Sequence, residues 1–165
     1  MTATSSPREA ARALRMEAWN NGTKMRLPID PFRIAANLGI VVNEELLDAN
    51  LAGFIVRENG GQVEVFLNAL DAPARKRFTL AHELGHFFKN RDDENIGYVD
   101  ERSELASSGT NANEIWCNQF AAELLMPAAI VKKYWAEGKT VDELRSTFNV
   151  SGVALENRLK NLGLR

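Results

Sequence analysis

Cysteine is nearly absent from this 165-residue chain: Cys117 stands alone. No internal disulfide can form, and the chain suits a reducing compartment. No stretch approaches the ~20 consecutive apolar residues of a membrane span. The N-terminal Met-Thr-Ala-Thr-Ser-Ser-Pro lacks the positively charged region and apolar run of a signal peptide. A cytoplasmic location with no membrane partner is the expectation. Basic runs are missing too, and the formal charge is −2, so direct nucleic-acid binding is not expected. With 45% hydrophobic and 25% charged residues, the composition is that of a globular chain rather than a disordered or fibrous one. The length fits one domain, read here as residues 7–165 after a disordered tail 1–6, with a helical C-terminal part 128–165.

Histidine is also scarce, and both copies fall in one stretch. Phe78 to Phe88 reads Phe-Thr-Leu-Ala-His-Glu-Leu-Gly-His-Phe-Phe. His82, Glu83 and His86 spell H-E-x-x-H. On a helix the two imidazoles lie one turn apart on the same side and can share one Zn²⁺. Glu83, about 100° round from His82, can serve as general base toward water activated by the metal. The remaining residues of the stretch, Thr79 apart, fill the arc from about 140° to 320° with apolar side chains, which predicts a buried helix carrying a narrow polar stripe. Pro73 falls in the expected first turn, with Asp71 or a neighbour as cap. Gly85 costs about 1 kcal/mol in a helix interior relative to Ala, which predicts a close neighbour against it.

Around this helix the chain alternates between helix and strand signals. Pro7 to Asn20 reads as a helix ended by Asn21-Gly22, and Asp30-Pro31 caps another through Leu38 that Gly39 stops. Ile40 to Asn43 reads as a strand. Gly53 to Glu58 and Gln62 to Leu67 flank the turn Asn59-Gly60-Gly61, and the second run alternates, with Val63, Val65 and Leu67 on one face. The expected sheet is antiparallel, with about three strands, one edge of which could pair with an extended peptide. Lys89 to Asn113 reads as a long polar loop with one helical turn near Glu101 to Ala106. Helices are expected at Glu114 to Met126, Ile130 to Ala136, Thr140 to Phe148 and Ser151 to Asn161, making the fold class α+β.

A catalytic zinc usually has three protein ligands. With no third histidine, the remaining donor is a carboxylate or Cys117. Glu114 lies on the apolar side of its helix, where an unpaired carboxylate is costly and a metal would remove the cost. Glu114 is therefore the expected third ligand, against the alternatives that it only favours the helix dipole or that Cys117 serves instead. Asn118 shares that face and either orients a ligand or ties two helices. Glu123, about 180° away, is expected to face solvent.

The pattern Arg-Phe-Thr-Leu-Ala-His-Glu-Leu-Gly-His, followed by Glu-Ile-Trp-Cys-Asn-Gln-Phe-Ala-Ala-Glu-Leu-Leu-Met-Pro from Glu114, closely resembles the ImmA/IrrE family of bacterial and phage-associated zinc metallopeptidases. The resemblance covers nearly all of residues 25–165, although such chains commonly have Ala where Cys117 stands and residues 89–113 match no family pattern. It implies a zincin-like, gluzincin core with His82, His86 and Glu114 on one zinc ion and Glu83 as catalytic base. It also implies a protein substrate, a helix-turn-helix repressor of the XRE type.

Metal-assisted peptide hydrolysis is the leading expectation, with Tyr98 or Tyr134 as oxyanion donors. A His₂Glu donor set also accepts other divalent ions. The rival readings are a non-proteolytic, metal-holding regulator that binds a repressor or antitoxin, and DNA binding through the two C-terminal helices. Those helices are hardly basic, and packing on the core is the better account of them.

Overall fold

The computed structural model describes residues 5–20, 24–101 and 111–165. Among these residues, seven helices and four strands follow one another as α1 (Pro7–Ala18), α2 (Pro31–Asn37), β1 (Val41–Glu45), β2 (Leu51–Arg57), β3 (Glu64–Asn68), α3 (Pro73–Asn90), β4 (Ile96–Glu101), α4 (Ala112–Leu125), α5 (Ala128–Ala136), α6 (Val141–Phe148) and α7 (Gly152–Asn161). The fold is α+β, as the residue patterns imply.

The caps account for most helix starts. Asp30 accepts from the Phe32 N–H at 2.9 Å, with Pro31 at the first helical position. Thr140 and Glu143 form a reciprocal capping box on α6, and Ser151 caps α7. Ser6 and Glu9 form another on α1, and the Ser5 carbonyl accepts from Nε1 of Trp116 at 3.2 Å. Asn21-Gly22 lies outside the described residues; α1 ends at Ala18. At α3 the N-cap position falls on Ala72, the neighbour of Asp71; no side-chain hydrogen bond caps this end, and Pro73 starts the helix.

The sheet has one more strand than expected and is mixed, in the order β1-β3-β2-β4. The hairpin β2–β3 is antiparallel, pairing Gly53 with Leu67 and Ile55 with Val65 across a turn in which Asn59 and Gly60 have φ of 50° and 69°. β1 runs parallel to β3, because β2, which lies between them in sequence and antiparallel to β3, brings the chain back before β3 runs in the sense of β1. β4 pairs antiparallel with β2, and it comes from the stretch read as a loop. Ile96 in it is buried, while Val99 and Glu101 are exposed. The expected helical turn is contradicted at Glu101, which is strand; residues 102–106 lie outside the description.

α3 is the spine of the molecule. Leu80, Ala81 and Leu84 are fully buried in one core with Val65 and Leu67 of the sheet and Phe120, Ala121 and Leu124 of α4. Each such leucine stabilises the fold by roughly 1.5–3 kcal/mol. Gly53 allows β2 to sit close to α3: a Cβ there would lie 2.6 Å from the Phe66 carbonyl oxygen and 2.9 Å from Cγ2 of Thr79. Arg77, buried on α3, donates from Nη2 to the Ile29 carbonyl at 2.6 Å and from Nε to the Asn149 carbonyl at 3.0 Å. Burial lowers its pKa, with the nearby Asp30 acting in the opposite direction.

Candidate metal centre

The closest helix pairing in the fold brings α3 and α4 together. Gly85 makes it possible, since a Cβ there would stand 3.1 Å from Cδ1 of Phe120 and 3.4 Å from Cα and Cβ of Cys117. The close neighbours expected at Gly85 are thus the Phe120 ring and the Cys117 backbone of α4.

Where these helices touch, His82, Glu83 and His86 are completely buried and Glu114 almost so. The Glu114 carboxylate spans both imidazoles: Oε2 lies 2.8 Å from Nε2 of His82, and Oε1 lies 3.2 Å from Nε2 of His86. The structure therefore brings His82, His86 and Glu114 together, with Glu83 buried on the same helix as the two histidines. Asn118, one turn beyond Glu114, places Oδ1 2.8 Å from Nδ1 of His82. This contact serves both roles open to it in the sequence: it ties α4 to α3, and an Nδ1–H donated to Asn118 leaves the Nε2 lone pair pointing at Glu114.

This donor set fits a divalent cation on its own chemistry. With Nδ1–H spent on Asn118, the Nε2 lone pair of His82 faces a carboxylate lone pair at hydrogen-bond distance, a contact that is attractive only with a positive charge between or upon them. Donor separations of 2.8 and 3.2 Å are close to the ~3.3 Å edge of a tetrahedron of ligands held ~2.0–2.1 Å from zinc. A second grouping is present too: one donor atom each from His82, His86 and Cys117 lie within 4.8 Å of one another. Both Glu114 and Cys117 thus lie within reach of the histidines, Glu114 through a carboxylate 2.8 and 3.2 Å from the two Nε2 atoms, while the Cα and Cβ of Cys117 pack beneath Gly85.

Tyr98 comes to the centre from β4. Its ring stacks on His86 with centroids 4.2 Å apart and planes at 13°, while its hydroxyl lies 3.5 Å from Oδ1 of Asn90. Asn90 in turn donates from Nδ2 to the His86 carbonyl at 2.7 Å. Tyr98 thus meets His86 through its ring face, while its hydroxyl donates to Asn90. Tyr134 packs toward Phe148 of the C-terminal helices instead. Asn90 escaped the sequence reading; its one usable signal was standing a helical turn after His86.

One expectation on α4 fails. Glu123 does not face solvent: it is buried, ion-paired through Oε2 to Nη2 of Arg158, with Nη2 of Arg15 3.9 Å from Oε1. The 180° face of α4 is covered by α1 and α7, which a helical wheel of α4 alone cannot show. Arg15 also donates to the Glu123 carbonyl at 2.7 Å, and Arg158 to the Met126 carbonyl at 3.0 Å. Burial lowers the pKa of both arginines, opposed by the charge of Glu123.

A buried histidine pair on one helix, faced by a carboxylate from the next and flanked by a small sheet, is the arrangement of a zincin-like protein. Residues 35–160 match the family described as the IrrE N-terminal-like domain, and the chain belongs to that peptidase family. It is 32% identical over 91 residues to the radiation response metalloprotease IrrE of Deinococcus radiodurans, covering 53% of this chain and 27% of that protein. It is 31% identical over 94 residues to the protein of the same name from Deinococcus deserti, covering 54% of this chain and 33% of the relative. The chain thus aligns with about a third or less of the length of these curated relatives.

Proposed function

We propose that this chain is a zinc-dependent endopeptidase, with His82, His86 and Glu114 holding one zinc ion and Glu83 as the catalytic base. The observation that carries the reading is the Glu114 carboxylate reaching both Nε2 atoms of the H-E-x-x-H pair, in a chain that belongs to a peptidase family. When bound, zinc supplies Lewis-acid chemistry that acidifies water and polarises a carbonyl. Glu83 takes the proton from the attacking water and returns it to the leaving amine. Asn118 fixes the His82 tautomer, and Tyr98 holds the plane of His86. Burial of all three ionisable motif residues strengthens each of these electrostatic contacts.

The substrate proposed is a helix-turn-helix repressor of the XRE type, met in the cytoplasm, with no direct binding to nucleic acid or membrane. Among the described residues no helix is long and apolar enough to cross a membrane. β4 is an outer strand of the sheet and carries Tyr98 onto His86, so an extended substrate added along its open edge would run beside the centre. Residues 7–165 act as one metallopeptidase domain in this reading, with 128–165 its helical C-terminal part.

The test co-expresses the chain with a repressor encoded beside it and looks for a clipped product. Wild type should cut, and Glu83→Gln should retain zinc by elemental analysis but leave the repressor intact. A Glu83→Gln chain that still cuts overturns the assignment. Cys117 favours a second reading, a non-proteolytic regulator: as a fourth protein donor it would close the coordination sphere. In that case Cys117→Ala would lower zinc affinity and the wild-type chain would cut nothing.

A further inference from the structure

Apart from the buried centre, the described residues form a groove of about 920 Å³ between the start of α1, the first turns of α3, and the outer faces of α4 and α7. It borders the centre: Asn118, the partner of His82, lines it, as does Ile115 beside Glu114. Its apolar lining includes Phe78, Ile115 and Val153, of which Ile115 and Val153 are exposed.

Its charge is one-sided. Arg8, Arg75, Arg158 and Lys160 line it against one carboxylate, Glu123, and that carboxylate is already ion-paired to Arg158. The protein as a whole carries −2, so this excess of positive charge is local rather than a reflection of overall composition. Arg8 and Lys160 are exposed and reach the groove from α1 and α7. Exposed cations beside exposed apolar side chains complement a peptide that carries acidic and large apolar side chains together. A nucleic-acid backbone would satisfy the cations alone and leave Ile115 and Val153 uncovered.

We propose that this groove is a docking site for an acidic, apolar-bearing segment of the protein substrate, held apart from the bond that is cut. The proposal rests on the peptidase reading for the word substrate, and on the groove alone for binding. Such a site would raise the local concentration of the scissile segment and choose among substrates by charge.

The test is fluorescence anisotropy of a labelled peptide of about fourteen residues with Leu and Glu at helical spacing. The same peptide with Lys for Glu, and a single-stranded DNA oligomer, serve as comparisons. The protein is full-length Glu83→Gln, so that binding is read without cleavage. The acidic peptide should bind more tightly than the basic one, and affinity should fall as salt rises. Arg8→Glu with Lys160→Glu should weaken it about tenfold, while the charge-matched control Lys132→Glu with Lys139→Glu should leave it within about twofold. Equal binding of both peptides, tighter binding of DNA, equal loss in both double variants, or absence of binding overturns the proposal. Binding that follows the expected pattern in a chain that cuts no repressor would keep the groove and remove the peptidase reading. Cleavage with no selective peptide binding would do the reverse.

Discussion

Replacing Gly85 with Ala puts the α3–α4 contact to a quantitative test. In an isolated helix the change is favourable by about 1 kcal/mol, because Gly gives up more backbone freedom than Ala on folding. Here the added methyl lies 3.1 Å from Cδ1 of Phe120 and 3.4 Å from Cα and Cβ of Cys117, against an optimum of ~3.5–4.0 Å for carbon pairs. Phe120 is fully buried and stacked on Trp116 with centroids 5.5 Å apart, so its ring has little room to swing away. The Cys117 Cα is backbone, and only a shift of α4 relieves that contact. Overpacking of this kind costs about 1–3 kcal/mol, so the propensity gain is cancelled and the net change runs from about zero to 2 kcal/mol of destabilisation. The displaced helix carries Glu114, and the 2.8 and 3.2 Å separations to the histidines open with it. Urea unfolding with and without zinc, together with chelator competition for zinc affinity, reads both effects. The expected result is unchanged or lower stability with zinc affinity reduced about tenfold, the size of a lost supporting contact. A variant more stable by the full propensity gain, with zinc affinity unaltered, would refute the claim that this contact sets the ligand geometry.

Gly53→Ala should be harsher, since the methyl would meet the Phe66 backbone oxygen at 2.6 Å within a paired strand; about 3 kcal/mol of stability should be lost, read by urea unfolding. Glu123→Gln should cost about 3–5 kcal/mol, because two buried guanidiniums lose their counter-charge, and a loss below about 1 kcal/mol would show that the backbone carbonyls suffice. Glu17 should give a small pH-dependent term. A hydrogen bond from Arg91 holds its carboxyl below the ordinary value of 4.5, so its contribution is present above that value and lost as pH falls through the lower folded value. The stability difference between wild type and Glu17→Gln should therefore be at most about 1 kcal/mol at neutral pH and fade both in acid and in about 1 M salt, because the pair is partly exposed.

The helix bearing His82 and His86 was readable because a fully buried helix leaves a long apolar arc, and a polar stripe within it has few explanations. Glu114 was readable for the same reason, as a carboxylate on an apolar side. The hairpin was spelled out by Asn59-Gly60-Gly61. What escaped depended on contacts between elements. β4 is too short and too polar at its ends to show a period, and its pairing with β2 comes from tertiary contact. The parallel run of β1 beside β3 is a property of topology that no local pattern carries. Glu123 was misplaced because the face opposite the core side of one helix became the seat of two others. The stacking of Tyr98 on His86 lies beyond any spacing rule, since the two side chains come from different elements.

Arg77 stands five residues before His82, and its guanidinium fastens the connector at Ile29 and the α6 end at Asn149 to the same helix. Segments distant along the chain are thus moored to one spar. Loss of either mooring would leave a buried positive group short of acceptors next to the histidine turn. Damage at Ile29 or Asn149 would then loosen the very backbone from which the imidazoles hang.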